Sequence, residues 1–235
     1  MPYILTLIIL TALYVIFIRL MKYMNNITLT NVVFVLVIFV HYLMLSITVY
    51  DDVGFFDWNF QNTLPVANVS PFMFTCVPLS LILPKGVRRY FLLLISLLSI
   101  GMFLSGALGC IYNAVIGYKF HIHFVWDYVS HFAMSLFGVY VIKSKQVTLS
   151  LKNVIVSSSL IFGTATLMLI LNLIFDTSFF GLSLNGKHNI YNVVLVDSSF
   201  ISALLYYLGL LMTVILGYIY SMVFKGEKCI HEKKL

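Results

Sequence analysis

Residues 90–112 read YFLLLISLLSIGMFLSGALGCIY and contain no charged side chain. A membrane-spanning helix needs about 20 predominantly apolar residues, so this stretch predicts a transmembrane helix. Its Gly101, Ser105 and Gly109 form a small-residue stripe that predicts close approach of another helix. The whole chain has the same character, because 61% of its 235 residues are hydrophobic and only 9% are charged, against about 45–50% and about 25% in soluble domains. This composition excludes a soluble enzyme, a disordered chain and a basic nucleic-acid-binding domain.

Six further stretches resemble residues 90–112 in length and apolarity. Together they predict an all-α membrane protein with seven transmembrane helices, at about 3–23, 30–50, 63–84, 90–112, 124–142, 153–175 and 200–224. The first stretch has neither a basic segment before it nor a small-residue cleavage site after it, so it is interpreted as a span and not as a secretory signal. No repeat or second core is visible, and a single membrane domain over residues 1–235 is expected.

The charges between these helices predict the orientation of the chain. Short cytoplasmic loops of membrane proteins collect Lys and Arg, and 12 of the 14 basic residues lie either at the end of the first predicted helix or after the third, fifth and seventh. Asp51, Asp52, Asp57, Asp127, Asp176 and Asp197 occur in or beside the alternate gaps. The sequence therefore predicts an outside N-terminus and a cytoplasmic C-terminus in a multi-pass protein of the cell membrane.

Asp127 and His131 are the most informative polar pair at membrane depth. Ionisable groups are costly there and rarely face lipid. A carboxylate one helical turn before an imidazole can hold one ring nitrogen and leave the other free for general acid–base chemistry. The competing interpretation is structural, with His131 bonded to a neighbouring helix and Asp127 in the hydrated headgroup region.

Several other polar residues are predicted at a similar, outer depth. Asn62, Thr63, Asn68 and Ser70 belong to the outer half of the predicted third helix, and Asn172 and Asp176 end the sixth. We expect Asn68, Asp127, His131 and Asn172 to line a polar pocket. Cys76 is predicted to lie much deeper, and the isolated His41 is interpreted as a structural hydrogen-bonding residue. His121 and His123 lack a third close ligand or a metal motif, so neither a metal site nor a cofactor is expected.

Three segments resemble a known family: WNFQNTLPVANVSPF at 58–72, HFVWDYVSHFA at 123–133 and LNLIFDT at 171–177. In them the chain is similar to YwaF-type bacterial integral membrane proteins, whose animal relatives include transmembrane protein 164, a phospholipid acyltransferase. More distant relatives are the androgen-induced hydrolases of fatty acid esters of hydroxy fatty acids. The resemblance spans about residues 30–224 and implies a seven-helix protein of the bacterial plasma membrane, with an acyl-transfer or ester-hydrolysis site between the third and fifth helices.

Carried over by position, Ser130 and His131 match the Ser-His pair of the family, and residues 64–65 match its Leu-Pro pair. The family pattern often continues with a His and then a Cys two residues later, the candidate acyl-accepting nucleophile. This chain has Ala-Asn-Val at 67–69 instead. The nucleophile of an enzyme would then be Thr63, Ser70 or a water activated by His131, with Asn62 or Asn68 as donors to the oxyanion.

Two classes of function remain open from the sequence. The first is a lipid acyl-ester hydrolase or acyltransferase whose site opens to the outer leaflet, with membrane lipids as partners and Trp58, Asn172 and Asp176 among the substrate contacts. Trp58 also fits an interfacial aromatic belt. The second is a non-enzymatic membrane protein, either a carrier of lipids or small solutes or a subunit that packs against a protein partner. No nucleic-acid partner is expected for either class.

Overall fold

The described part of the chain is built from α-helices. The computed structural model describes residues 2–53, 69–117, 119–120, 122–175, 180, 182 and 199–225. Its α-helices are α1 (Pro2–Leu20), α2 (Ile27–Val53), α3 (Val69–Ile82), α4 (Lys85–Val115), α5 (Ile122–Lys143), α6 (Leu151–Phe175) and α7 (Ser199–Lys225). A short 3-10 helix, Met21–Tyr23, continues α1. The predicted all-α class is confirmed.

The described helices are those of a multi-pass membrane protein. Five segments are long and apolar enough to cross a bilayer, namely Pro2–Tyr23, Lys85–Val115, Phe124–Lys143, Leu151–Phe175 and Ala203–Val223. The described residues also hold two shorter apolar segments, Ile27–His41 within α2 and Val69–Ile82. Many large apolar side chains on the outside of the bundle are exposed, such as Ile8 at 59% and Leu173 at 50%. A soluble protein rarely carries such a continuous apolar surface, whereas lipid covers it without cost.

Helix α4 occupies the centre of the bundle. It packs against α5, α7, α3, α1 and α6, and its residues from Leu92 to Ser99 are all buried. A helix that is apolar on every side is stable only when it is surrounded by other helices or by lipid. The stretch at 90–112 is therefore the core around which the other helices are arranged.

The small-residue stripe of α4 serves two partners and not one. A Cβ added to Gly101 would collide with Thr213 of α7, whereas one added to Gly109 would meet Tyr128 of α5, and Ser105 is exposed. Eight residues of an α-helix advance about 80° beyond two full turns, so the two glycines face different neighbours. The predicted close approach of another helix is present at both glycines, and the structure adds that it involves two helices.

The start of α4 differs from prediction. The prediction places Lys85, Arg88 and Arg89 in a loop before residue 90, but α4 begins at Lys85 and all three lie in its first two turns. Only Leu83 and Pro84 separate α3 from α4, because a proline disfavours helical geometry in the residue before it and is well suited to precede a new helix. Charged residues at a helix end can reach the membrane surface without a loop.

Candidate functional site

Ser70, His131 and Asp127 form a continuous line of polar contacts between α3 and α5. The Oγ atom of Ser70 lies 2.8 Å from Nε2 of His131. On the other side of the ring, Nδ1 of His131 lies 2.8 Å from the main-chain carbonyl oxygen of Asp127 and 3.3 Å from its carboxylate Oδ1. A hydroxyl, an imidazole and a carboxylate in this order are the arrangement used to activate a serine nucleophile.

The partners of His131 determine which ring nitrogen carries the proton. Both groups near Nδ1 are acceptors, the carbonyl oxygen and the carboxylate of Asp127, so Nδ1 of the neutral ring carries the hydrogen and donates it to them. The Nε2 atom then presents a lone pair, and the Ser70 hydroxyl donates its hydrogen to it. This is the tautomer that a general base needs in order to take the proton of an attacking serine.

The spacing of residues along α3 and α5 explains why these side chains lie next to one another. Asp127 and His131 are four residues apart on α5, so their side chains share one face. Ser70 and Phe74 have the same spacing on α3, and the Phe74 ring meets the His131 ring edge-on with their centres 6.1 Å apart. The imidazole is thereby held between a hydroxyl and an aromatic ring of the same helix.

Burial differs along the line in a way that favours chemistry. The His131 side chain is buried, Ser70 is half-buried, and 36% of the Asp127 side chain is exposed. A buried imidazole that bonds on both ring nitrogens is fixed in orientation, while Ser70 as a residue is only half-buried. The predicted Asp127–His131 contact is present, and the structure adds the carbonyl of Asp127 as a second partner.

Asn172 has a structural contact with the chain that follows α6. Its side chain is buried, and its amide donates a hydrogen bond to the main-chain oxygen of Leu182. Nearby, the ring of Phe180 packs against Phe72 of α3 with centres 5.7 Å apart. Asn172 thus helps to hold the segment that contacts α3 two residues after Ser70, a role that the sequence did not predict.

Several predicted site residues lie outside the described part of the chain: Trp58, Asn62, Thr63, Asn68 and Asp176. The predicted pocket of Asn68, Asp127, His131 and Asn172 is consequently described only at its Asp127–His131 contact and at Asn172.

Two further predicted residues have definite positions. Cys76 is buried on α3, six residues beyond Ser70, which is about 9 Å along a helix axis. His41 lies in the middle of α2, where its Nδ1 is 2.7 Å from the main-chain oxygen of Val37 in the same helix and its ring packs against Trp126 of α5. Among the described residues no group of three or more His, Cys, Asp or Glu side chains could hold a metal ion.

Some contacts around the site could not be predicted from the sequence, because the residues that make them show only the apolar spacing of any helix. Tyr14 of α1 reaches α5, where its hydroxyl lies 2.8 Å from the Ser135 hydroxyl one turn after His131. Ser130, the neighbour of His131, is buried and donates to the main-chain oxygen of Trp126. Ser130 therefore belongs to the helix and not to the line of reactive groups.

The chain was compared with protein-family models, with curated proteins and with solved structures, and none of them matches it.

Proposed function

We propose that the protein is a membrane-embedded lipid acyl-ester hydrolase or acyltransferase that uses Ser70 as its nucleophile, His131 as general base and Asp127 to orient the imidazole. The observation that carries the proposal is the contact of Ser70 Oγ with His131 Nε2 at 2.8 Å, with Asp127 on the opposite ring nitrogen. Of the nucleophiles that the sequence left open, Ser70 is the one with a described contact to the base.

The reaction follows from these positions. Ser70 Oγ attacks the carbonyl carbon of an ester while His131 Nε2 takes the hydroxyl proton, and Asp127 stabilises the imidazolium that forms. The tetrahedral intermediate then collapses, the bond to the alcohol breaks, and His131 returns the proton to the departing alkoxide. A water or an acceptor alcohol then gives its proton to His131 Nε2 and attacks the acyl carbon. The bond to Ser70 Oγ breaks, His131 returns the proton to Ser70, and the acyl group leaves as a fatty acid or as a new ester.

A lipid substrate is supported by the surroundings of the line. Ser70 and His131 belong to two apolar helices of a membrane protein, and Phe74 places an aromatic ring beside the base. The resemblance to YwaF-type proteins implies the same substrate class and a bacterial plasma membrane. A site between such helices is reached by molecules that already lie in the bilayer, which makes membrane lipids its natural partners.

The proposal includes a topology in which all seven described helices cross the membrane, with the N-terminus outside and the C-terminus in the cytoplasm. Helix α2 extends over 27 residues, about 40 Å at 1.5 Å per residue, which exceeds a hydrocarbon core of about 30 Å. The alternation of basic and acidic gaps supports the orientation. With this topology, the Asp127 end of α5 faces the outer leaflet, where the lipid esters would be attacked.

A fluorophosphonate probe tests the nucleophile directly. The purified chain, reconstituted in lipid vesicles, is incubated with the probe, and the modified peptide is identified by mass spectrometry. We expect labelling at Ser70, lost in Ser70→Ala and strongly reduced in His131→Ala. Ser130→Ala is the matched control, because Ser130 is a neighbouring buried serine whose hydroxyl bonds only to the helix backbone.

The same variants are then assayed for release of fatty acid or transfer of acyl chains between added lipids. Ser70→Ala should abolish turnover, whereas Cys76→Ser should retain it, because the thiol is about 9 Å farther along α3. Labelling at Thr63 would transfer the nucleophile to that residue and overturn the assignment of Ser70. Full turnover by Ser70→Ala together with an unlabelled wild-type protein would leave the non-enzymatic class, a lipid carrier or a subunit of a complex.

A further inference from the structure

A cleft between α1, α2 and α5 lies apart from the Ser70–His131 line. Helices α1 and α2 each pack against α5 but scarcely touch one another, so they leave a space of about 420 Å³ between them. Residues from all three helices line it, among them Leu13, Phe17, Val33, Val37, Val129 and Ala133. Its lining on α5 runs from Val129 to Leu136, and at 100° per residue His131 lies on the roughly opposite face of that helix.

The cleft has the length of a single acyl chain. Its lining on α2 extends from Leu29 to His41, which is about 18 Å at 1.5 Å per residue. One leaflet contributes half of the hydrocarbon core of about 30 Å, or about 15 Å. The volume also falls in the range of about 300–1,000 Å³ typical of ligand sites. A chain from one leaflet would fill the cleft from its end near Met24 to the level of His41.

Positive charge is concentrated at one end of the cleft. The last residues of α1, the first of α2 and the end of α5 meet there, and the Asn31 and Gln146 side chains join α2 to the turn after α5 by two reciprocal hydrogen bonds of 2.7 and 3.1 Å. The basic residues of α1 and its 3-10 extension at this end are Arg19 and Lys22. The three acidic residues of the described chain lie elsewhere, two at the far end of α2 and one at the far end of α5.

We infer that the cleft binds one anionic glycerophospholipid, with an acyl chain between α1 and α2 and its phosphate at the basic end near Lys22. The apolar walls exclude a charged or hydrated ligand from the cleft itself, and the cations beside its end select an anionic headgroup over a zwitterionic one. The site is separate from the proposed reactive line, and its occupancy requires no catalysis.

Native mass spectrometry of the detergent-purified full chain tests the site. Phosphatidylglycerol and phosphatidylcholine with identical acyl chains are added in competition. We expect one phosphatidylglycerol per chain to be retained at least fivefold more than phosphatidylcholine. Val33→Trp should remove most of the retained lipid because it fills the cleft. Val32→Trp is the matched control, since Val32 is also an exposed valine of α2 but does not line the cleft. Lys22→Gln should reduce the preference for phosphatidylglycerol without placing bulk in the cleft.

Equal retention of the two lipids by the wild-type chain would overturn the inference. Unchanged retention in Val33→Trp would also overturn it, because the lipid would then be bound elsewhere. A stable dimer that Val33→Trp dissociates would assign the cleft to a second copy of the chain instead. These readouts measure binding alone, so they are independent of whether Ser70 reacts.

Discussion

A close approach between α4 and α7 predicts the effect of one methyl group at Gly217. A Cβ added there would overlap the carbonyl oxygen of Leu97 and lie 2.8 Å from its carbonyl carbon and 3.1 Å from its Cα. These are backbone atoms, which cannot rotate away as a side chain can, and carbon atoms at optimal separation are about 3.5–4.0 Å apart. Gly217→Ala must therefore push α7 away from α4. Inserting a methyl group into a packed core costs about 1–3 kcal/mol.

The measurement is the apparent melting temperature in detergent, with Gly163→Ala as the control. Gly163 lies in the interior of α6, and a Cβ added there would meet no atom within 4 Å apart from its chain neighbours and the nearby backbone of its own helix. Alanine should therefore leave stability unchanged or raise it through helix propensity. For a chain of this size, 1 kcal/mol corresponds to about 2–4 °C, which predicts a decrease of about 2–12 °C for Gly217→Ala. Equal melting temperatures for Gly217→Ala and wild type would refute the contact between the two backbones.

Three further predictions use other parts of the structure. His131→Ala should lower acyl-ester turnover by about 10²–10⁴-fold, the usual contribution of a positioned base. Asp127→Asn should lower turnover less, because the main-chain carbonyl of residue 127 still accepts the hydrogen bond from His131 Nδ1. Equal effects of both variants in a turnover assay would contradict this order. Asn31→Leu should destabilise the protein by about 1–3 kcal/mol, because the side-chain carbonyl oxygen of the partly buried Gln146 loses its donor, while the Gln146 amide nitrogen still donates to Ser144 Oγ. Thermal unfolding of the double variant with Gln146→Leu should show less than the sum of the two single losses. Cysteines placed at positions 54 and 86 should react with an impermeant reagent in intact cells only at position 54; labelling at position 86 alone would reverse the proposed topology.

The helices could be predicted from the sequence because their signal is local. A run such as residues 90–112 is too long and too apolar to be anything but a helix in lipid or in a core, and each described helix coincides with one predicted stretch. The exact ends of the helices were harder to predict. At Pro84 the chain turns within two residues, so three basic residues that read as a loop belong to α4. The number of spans and their orientation remain predictions from apolarity and charge.

Only the part of the candidate site that lies on a single helix could be predicted from the sequence. The spacing of Asp127 and His131 places them on one face of α5 in any α-helix, so their contact follows from the sequence. Ser70 was one of three open nucleophiles, since nothing in the local sequence fixes which residue of α3 lies opposite His131. The role of Asn172 was likewise hidden, because its partner Leu182 is a main-chain oxygen that carries no residue signature.

The sequence by itself determined that the chain is helical, belongs in a membrane and carries an acid–imidazole pair on one helix face, since apolarity and helical period are properties of neighbouring residues. Only the tertiary structure decided that Ser70 meets the free nitrogen of His131, that Gly101 and Gly109 face different helices, and that α1 and α2 stand apart over α5. Each of these depends on how helices pack against one another. Packing is set by the shapes of side chains distant in sequence, which no local pattern records.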